Sequence, residues 1–386
     1  MAIGIPAPLS SGNRAALAAD RAAPGAPPAP AADPERERLI AAQAGLVVHR
    51  TDALNCETPP HLLGADVTPT AQFYRRNHFP VPVLDPATWR LRVSGLVDRP
   101  QRLSLHELTQ LPVETTTVTL ECAGNDRARF VPPAPGVPWG SGAVGTAEWT
   151  GPRLADVLAL AGIGRGAREM VFGGADRGPV DGEPHPVRFE RSLSVHDALE
   201  SGALLAYAMN GEPLPARHGY PLRLVVPGWY AAASVKWLTD IRVTGEPFDG
   251  YFQSVDYMHD PENGEGPARP VRLQQVRALI TRPATGQEVP AGAVIVRGVA
   301  WSGAAPIDRV EVSVAGGPWQ KARLSGVAAA HGWQPWDLVA VGLPPGEVSI
   351  RARARDLTGA VQPDQPQRNR LGYEANFRHE ITLTIR

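Results

Sequence analysis

Cysteine is almost absent from this sequence: Cys56 and Cys122 are the two it contains in 386 residues. That excludes a disulfide framework and a zinc site built on paired CxxC motifs. A metal centred on cysteine here has to take one thiolate from the protein and its other ligands from elsewhere. An excess of either charge is missing too. Lys and Arg number 38 against 39 Asp and Glu, a formal net charge of −1, so no global field favours nucleic acid or an acidic membrane surface. No apolar run reaches the ~18 residues that span a bilayer. Neither a Walker-type loop nor a GxGxxG loop occurs, which disfavours nucleotide binding. The start of the chain has no basic stretch followed by an apolar core, and no Arg-Arg pair. The default expectation is therefore a cytoplasmic protein, with a periplasmic one left open.

What is plentiful is Gly (39) and Pro (40), a composition that favours turns and strands over long helices. A hydrophobic fraction of 43% supplies a core, and the length suggests two domains. Residues 1–45 read as a disordered Ala/Pro-rich tail, within which 34–43 could form a short helix. Residues 46–265 read as a mixed α+β domain. Ser104 and Glu107 form a capping box before Leu105, Leu108 and Leu111. Residues 114–122 alternate as a strand, with Val118, Leu120 and Cys122 on one face and Thr117, Thr119 and Glu121 on the other. The spacing of Leu154, Val157, Leu158 and Ala161 predicts an amphipathic helix over 151–163. Ser194 caps another, and strands are expected over 222–227 and 234–243. The Gly, Pro and acid content of 260–270 marks a boundary. Beyond it, 266–386 shows only period-two alternation: Val310, Val312, Val314; Val348, Ile350, Ala352, Ala354; Ile381, Leu383, Ile385. That pattern predicts an antiparallel β-sandwich.

Several residues could carry chemistry. Cys122 stands in LECAGNDR, at the end of a strand and before a turn. A lone cysteine there is by default a small buried hydrophobe; with Arg127 and Arg129 nearby it could instead be a thiolate, the nucleophilic or metal-binding form. Arg76-Asn77-His78 is either a polar loop between prolines or an anion or cofactor contact. His218 and Arg223 flank a Gly-Pro turn that suits a phosphate, to which Lys236 could add; a solvated lysine is the bland alternative. Tyr257, after Asp256, is either structural or a donor beside a reacting oxyanion.

In this order, the stretches FYRRNHFPVP (73–82), LECAGNDR (120–127), GAVGTAEWTGPRLADVL (142–158), LLAYAMNGEPLPARHGYPLRLVVPGWY (204–230) and SVKWLTDI (234–241) resemble the sulfite oxidase family of molybdenum enzymes. The resemblance implies a molybdopterin domain followed by an immunoglobulin-like domain that forms a homodimer. It implies Cys122 as the thiolate on molybdenum, and Arg76, Asn77 and His78 on cofactor- and substrate-facing positions. Asp176 falls on a pterin-contacting acid, and His218, Arg223, Ser234 and Lys236 on the holders of the pterin phosphate. Tyr257 matches the active-site tyrosine, and Arg127 an arginine of the anion pocket. The implied activity is oxidation of sulfite to sulfate by oxo transfer. Electrons pass to an external acceptor such as a cytochrome c, since no haem domain is visible. Three positions depart from the family pattern. Asp126 stands where a basic residue is common, Pro135 near an expected lysine, and Leu371 where an arginine is expected, with Arg370 one place earlier. Each change is expected to thin the positive charge that a sulfite dianion needs. The alternatives are another oxo transfer at the same metal, such as nitrate or sulfoxide reduction, or a cofactor-free binding module whose sandwich does the recognising. Cys56 reads as a structural thiol.

Overall fold

The computed structural model describes residues 34–264, 266–326 and 329–386. The expected disorder of 1–33 lies outside them. Residues 34–43, counted with that tail, form the short helix Pro34–Gln43 that the sequence allowed. Its Ala41 packs with Leu46, Leu54 and the buried, free Cys56, and its Glu37 pairs with the fully buried side chain of Arg75. This helix is fixed by what it packs against, which composition alone does not reveal.

Two larger sheets, with three two-stranded ones beside them, build the first unit. One has five strands in the order Gln101–Leu103, Leu91–Gly95, Leu238–Thr244, Glu169–Gly178, Val187–Ser194. The other orders Glu212–Pro213, Ala208–Met209, Val144–Pro152 and Val113–Glu121. Short helices, Leu105–Thr109, Leu154–Ala161 and Val195–Glu200, close the core with their apolar faces. Both N-caps are formed: Ser104 closes the full capping box with Glu107, and Ser194 accepts from the Asp197 amide. The α+β reading stands, with strands dominant.

Three boundaries differ from expectation, each for a local reason. The helix predicted from 151 begins at Leu154, because Gly151 and Pro152 stay paired with Glu114 and Val113. A side chain on Gly151 would collide with the carbonyl of Leu205. The strand predicted from 234 begins at Leu238. Trp237 adopts a left-handed φ of 49° and donates its indole N–H to the Ala216 carbonyl at 2.7 Å. Lys236 is thereby taken off the strand and into a turn. The strand expected over 222–227 is reduced to Arg223–Val225.

In the second unit, Arg277–Arg282, Val294–Trp301, Gln334–Ala340 and Arg323–Leu324 form one sheet. Glu288–Val289, His379–Ile385, Gly346–Asp356, Ile307–Val314 and Gln320–Lys321 form the other. Both contribute to a single core, Ala278, Val296 and Trp336 from the first and Val310, Ile350 and Leu383 from the second. Every ladder is antiparallel except Glu288–Val289 against Thr384 and Ile385. No helix among the described residues is long and apolar enough to cross a membrane.

The two units share a seam. Leu63 and Val144 pack with Leu279, Val299, Trp301 and Trp333. Thr119 and Glu121, the polar face of the Cys122 strand, are buried there rather than solvated. Arg277 explains how. Its guanidinium donates to Glu121 and to Asp126, each at 2.7 Å, and Trp301 donates to the second oxygen of Glu121 at 2.9 Å. The last segment of the chain also returns to the first unit, where Tyr373 joins the main core.

Candidate functional site

A pocket opens between the end of the Val113–Glu121 strand, the loop 73–78 and the turns at 218 and 231–237. Cys122 lies on its wall, 4% exposed. Its amide donates to Ala143 and its carbonyl accepts from Asn125, so the chain turns immediately after the thiol. Burial raises the thiol's pKa. Arg76 opposes this most, then the Gly124 amide and Arg127. Arg129 takes no part: it is held by Asp126 and the Arg378 carbonyl, over the Phe377 ring.

The cavity gathers Arg76, Asn77, His78, Cys122, Asp176, His218, Arg223, Ser234, Lys236 and Tyr257. Burial and the nearby Arg76, Lys236 and Arg191 hold His78 well below the ordinary histidine range, so its imidazole is neutral. Its Nε2 lies 3.0 Å from the Tyr257 hydroxyl. Burial lifts the Tyr257 phenol above its usual value, partly offset by Arg76. Asn77 is committed within the protein. Its side-chain amide donates to Ala53, and its Oδ1 accepts from Lys236. The Lys236 ammonium also donates to the Arg76 carbonyl at 3.1 Å. Arg223 donates to the carbonyls of His218 and Ser234 at 3.0 and 3.1 Å and lies over the Trp149 ring. Burial draws its pKa down to about 10. The Ser234 hydroxyl accepts from the Val226 amide.

Arg127 is the predicted residue that does not line the cavity. Its guanidinium lies 4.7 Å from the ring centre of Tyr373, where glycine at 124 and 136 leaves it room. Tyr373 stacks on Tyr257 at 5.0 Å and 14° and donates its hydroxyl to Asp256. Arg127 thus acts from behind two tyrosines. Sequence reading missed Tyr373, which stands in the second unit and carries no local signal. It also missed Tyr74 and Arg75, adjacent to the Arg76-Asn77-His78 motif, and Phe189, which stacks on His78 at 4.7 Å.

The departures that were expected to thin the charge need correction in one respect. Asp126 does not face the cavity. It is bound to Arg277, Arg129 and Ser141, so its charge is matched at the seam. Pro135 is exposed, and Arg370 lies outside the cavity against Asp260 and the Val255 carbonyl.

The chemistry of the wall is lopsided. Arg75, Arg76, Arg223 and Lys236 line it against the single carboxylate of Asp176. Burial of that carboxyl lifts its pKa to about 6, with Lys236 pulling the other way. Arg75 is matched by Glu37, but Arg76 and Arg223 form no ion pair among the described residues, and burial and then Arg223 hold the Lys236 pKa well below its ordinary value, a cost that an anionic guest relieves. Unpartnered buried atoms agree: His218 Nε2, Asp176 Oδ1 and two nitrogens of Arg75. Among the described residues no three His, Cys, Asp or Glu side chains converge on an ion. A metal at Cys122 therefore needs ligands carried in by a cofactor.

Comparison with known proteins agrees with this inventory. Residues 78–252 match the family model described as the oxidoreductase molybdopterin binding domain, and 270–386 the Mo-co oxidoreductase dimerisation domain. Mitochondrial sulfite oxidase of Rattus norvegicus is 37% identical over 382 residues, covering 93% of this chain and 69% of its own. Sulfite oxidase of Arabidopsis thaliana is 34% identical, covering 83% and 88%. Among solved structures, the sulfane dehydrogenase SoxCD of Paracoccus pantotrophus superposes with a TM-score of 0.76 at 28% identity, covering 86% and 85%.

Proposed function

Because the chain belongs to the sulfite oxidase family of molybdenum-cofactor oxidoreductases, we propose that it oxidises sulfite to sulfate and passes the electrons to an external acceptor such as a cytochrome c. The observation that carries this reading is a buried thiol facing a cavity whose wall is cationic. Such a wall suits both a phosphate-bearing pterin and an inorganic oxyanion. When bound, the cofactor supplies the metal and the oxygen-atom transfer chemistry. The protein supplies the rest.

Cys122 is the metal's one protein ligand. His218, Arg223, Ser234 and Lys236 hold the pterin phosphate, and Asp176, with an oxygen free of partners, receives a pterin donor. Asn77 acts indirectly, by holding Lys236. Arg76 and the Tyr257 hydroxyl meet the substrate anion, Arg76 as fixed charge and Tyr257 as a hydrogen-bond donor. The neutral His78 orients Tyr257 from its other side. Arg127 adds positive potential without contact, acting on both Cys122 and Tyr257.

The cofactor unit spans 46–265 and the immunoglobulin-like sandwich 266–386, through which two copies pair as a homodimer. The two facing sheets with a common core and the match to a dimerisation domain support this assignment.

Steady-state assays with sulfite, nitrate and a sulfoxide test the substrate. Turnover is expected with sulfite and an artificial acceptor; turnover of nitrate but not sulfite would overturn the assignment. Tyr257→Phe is expected to remove a hydrogen bond to a charged group, about 1.5–3 kcal/mol, or roughly 10–100-fold in kcat/KM for sulfite. An unchanged kcat/KM would take Tyr257 out of the reaction.

A further inference from the structure

Among the arginines that line the cavity, Arg75 alone keeps buried donors without a partner. It is 1% exposed. Its Nη1 donates to the backbone carbonyl and the carboxylate of Glu37, both at 3.1 Å. Its Nε and Nη2 have no hydrogen-bond partner among the described residues. Those two nitrogens form one edge of the guanidinium, two parallel N–H bonds spaced for two oxygens of a phosphate or carboxylate. Glu37 has therefore taken the far corner of the fork and left the bidentate edge buried without a partner.

Charge and position say which anion. Arg75 lines the same cavity as His218, whose Nε2 is also without a partner, and its charge bears on both His218 and Lys236. Glu37 is shared, with Arg217 at 4.0 Å from its other oxygen. One carboxylate thus faces two arginines, beside Arg223 and Lys236. Local positive charge exceeds negative at a buried place, and a phosphate supplies the deficit.

We propose that Arg75 is a further ligand of the cofactor's phosphate, and that Glu37 holds it in place, so that the Pro34–Gln43 helix latches the pocket. This rests on the reading that His218, Arg223, Ser234 and Lys236 hold that phosphate. The latch adds something separate: a segment before the first strand of the domain governs how long the cofactor stays.

Cofactor release from the purified holoenzyme is the test, followed as pterin fluorescence and molybdenum left in the protein after dilution and filtration. Arg75→Gln is expected to release pterin about tenfold faster than wild type or more, the scale of a charge-assisted bidentate contact. Arg75→Lys restores less than half of that on a logarithmic scale, since it keeps the charge but loses the fork. The double variant Glu37→Gln/Arg75→Gln leaves no unpaired carboxylate. It is expected to match Arg75→Gln in release and wild type in the Tm of cofactor-free protein, which separates ligation from folding. Wild-type release from Arg75→Gln and from the double variant, alongside fast release from Arg223→Gln, would overturn the proposal and leave the phosphate reading intact. Wild-type release from all of them would overturn both.

Discussion

Cys122→Ser is expected to lower sulfite turnover by more than about 100-fold, because altering merely the partner of a metal ligand already brings losses of that order. The substitution is close to isosteric, and the backbone bonds of Cys122 to Ala143 and Asn125 do not involve the side chain. The fold should therefore persist, with circular dichroism and Tm near wild type. The phosphate contacts lie elsewhere on the wall, so the variant is expected to retain pterin while losing turnover. A Cys122→Ser protein that oxidises sulfite at the wild-type rate would show that the thiolate is not the ligand.

Arg277→Ala is expected to destabilise the protein by about 3–5 kcal/mol, the usual result of removing one partner from a buried ionic network. Arg277 and its partners Glu121 and Asp126 have fully buried side chains. Without the arginine, buried Glu121 keeps only the neutral donors Trp301 and Asn125, and Asp126 keeps Ser141 and the longer contact to Arg129 at 3.5 Å. At a few degrees per kcal/mol the Tm should fall by roughly 10 °C. The pH dependence has a defined sign. Burial already raises the Glu121 pKa above the ordinary 4.5 of a glutamate, and Arg277 is the leading influence that lowers it. Removing Arg277 raises it further. A carboxyl whose folded pKa is raised contributes stability that is present below the unfolded pKa and lost as pH rises through the folded one. The deficit of Arg277→Ala against wild type should accordingly narrow as pH falls toward 4.5. Because Glu121 immediately precedes Cys122, the variant should also retain less molybdenum. Wild-type Tm and metal content in Arg277→Ala would show that the seam does not support the site.

How far the sequence could be read depended on the range of the contacts. The strand into Cys122, the caps at Ser104 and Ser194 and the buried stripes of the second unit were legible because each rests on neighbours within a few residues or on simple alternation. The site residues were legible in another way, through motif resemblance; periodicity alone left Cys122 and Lys236 with bland alternatives. What stayed hidden is long-range. Arg277 meets Glu121 across 156 residues, and the alternation of 114–122 gave no sign that its polar face is buried by a second unit. Tyr373 reaches Tyr257 and Arg127 from the end of the chain. Asp126 illustrates the same limit, since its charge looked misplaced in the anion pocket until its partner was found at the seam. The possible helix at 34–43 was legible, but what it docks against was not, because Glu37 meets Arg75 in another element.

The central claim is a molybdenum centre on Cys122, and the most direct measurement is molybdenum per chain, by elemental mass spectrometry, in wild-type protein purified from a host that makes the cofactor. The account predicts one molybdenum for each chain, together with pterin. No molybdenum, from a host that loads a known sulfite oxidase under the same conditions, would contradict it.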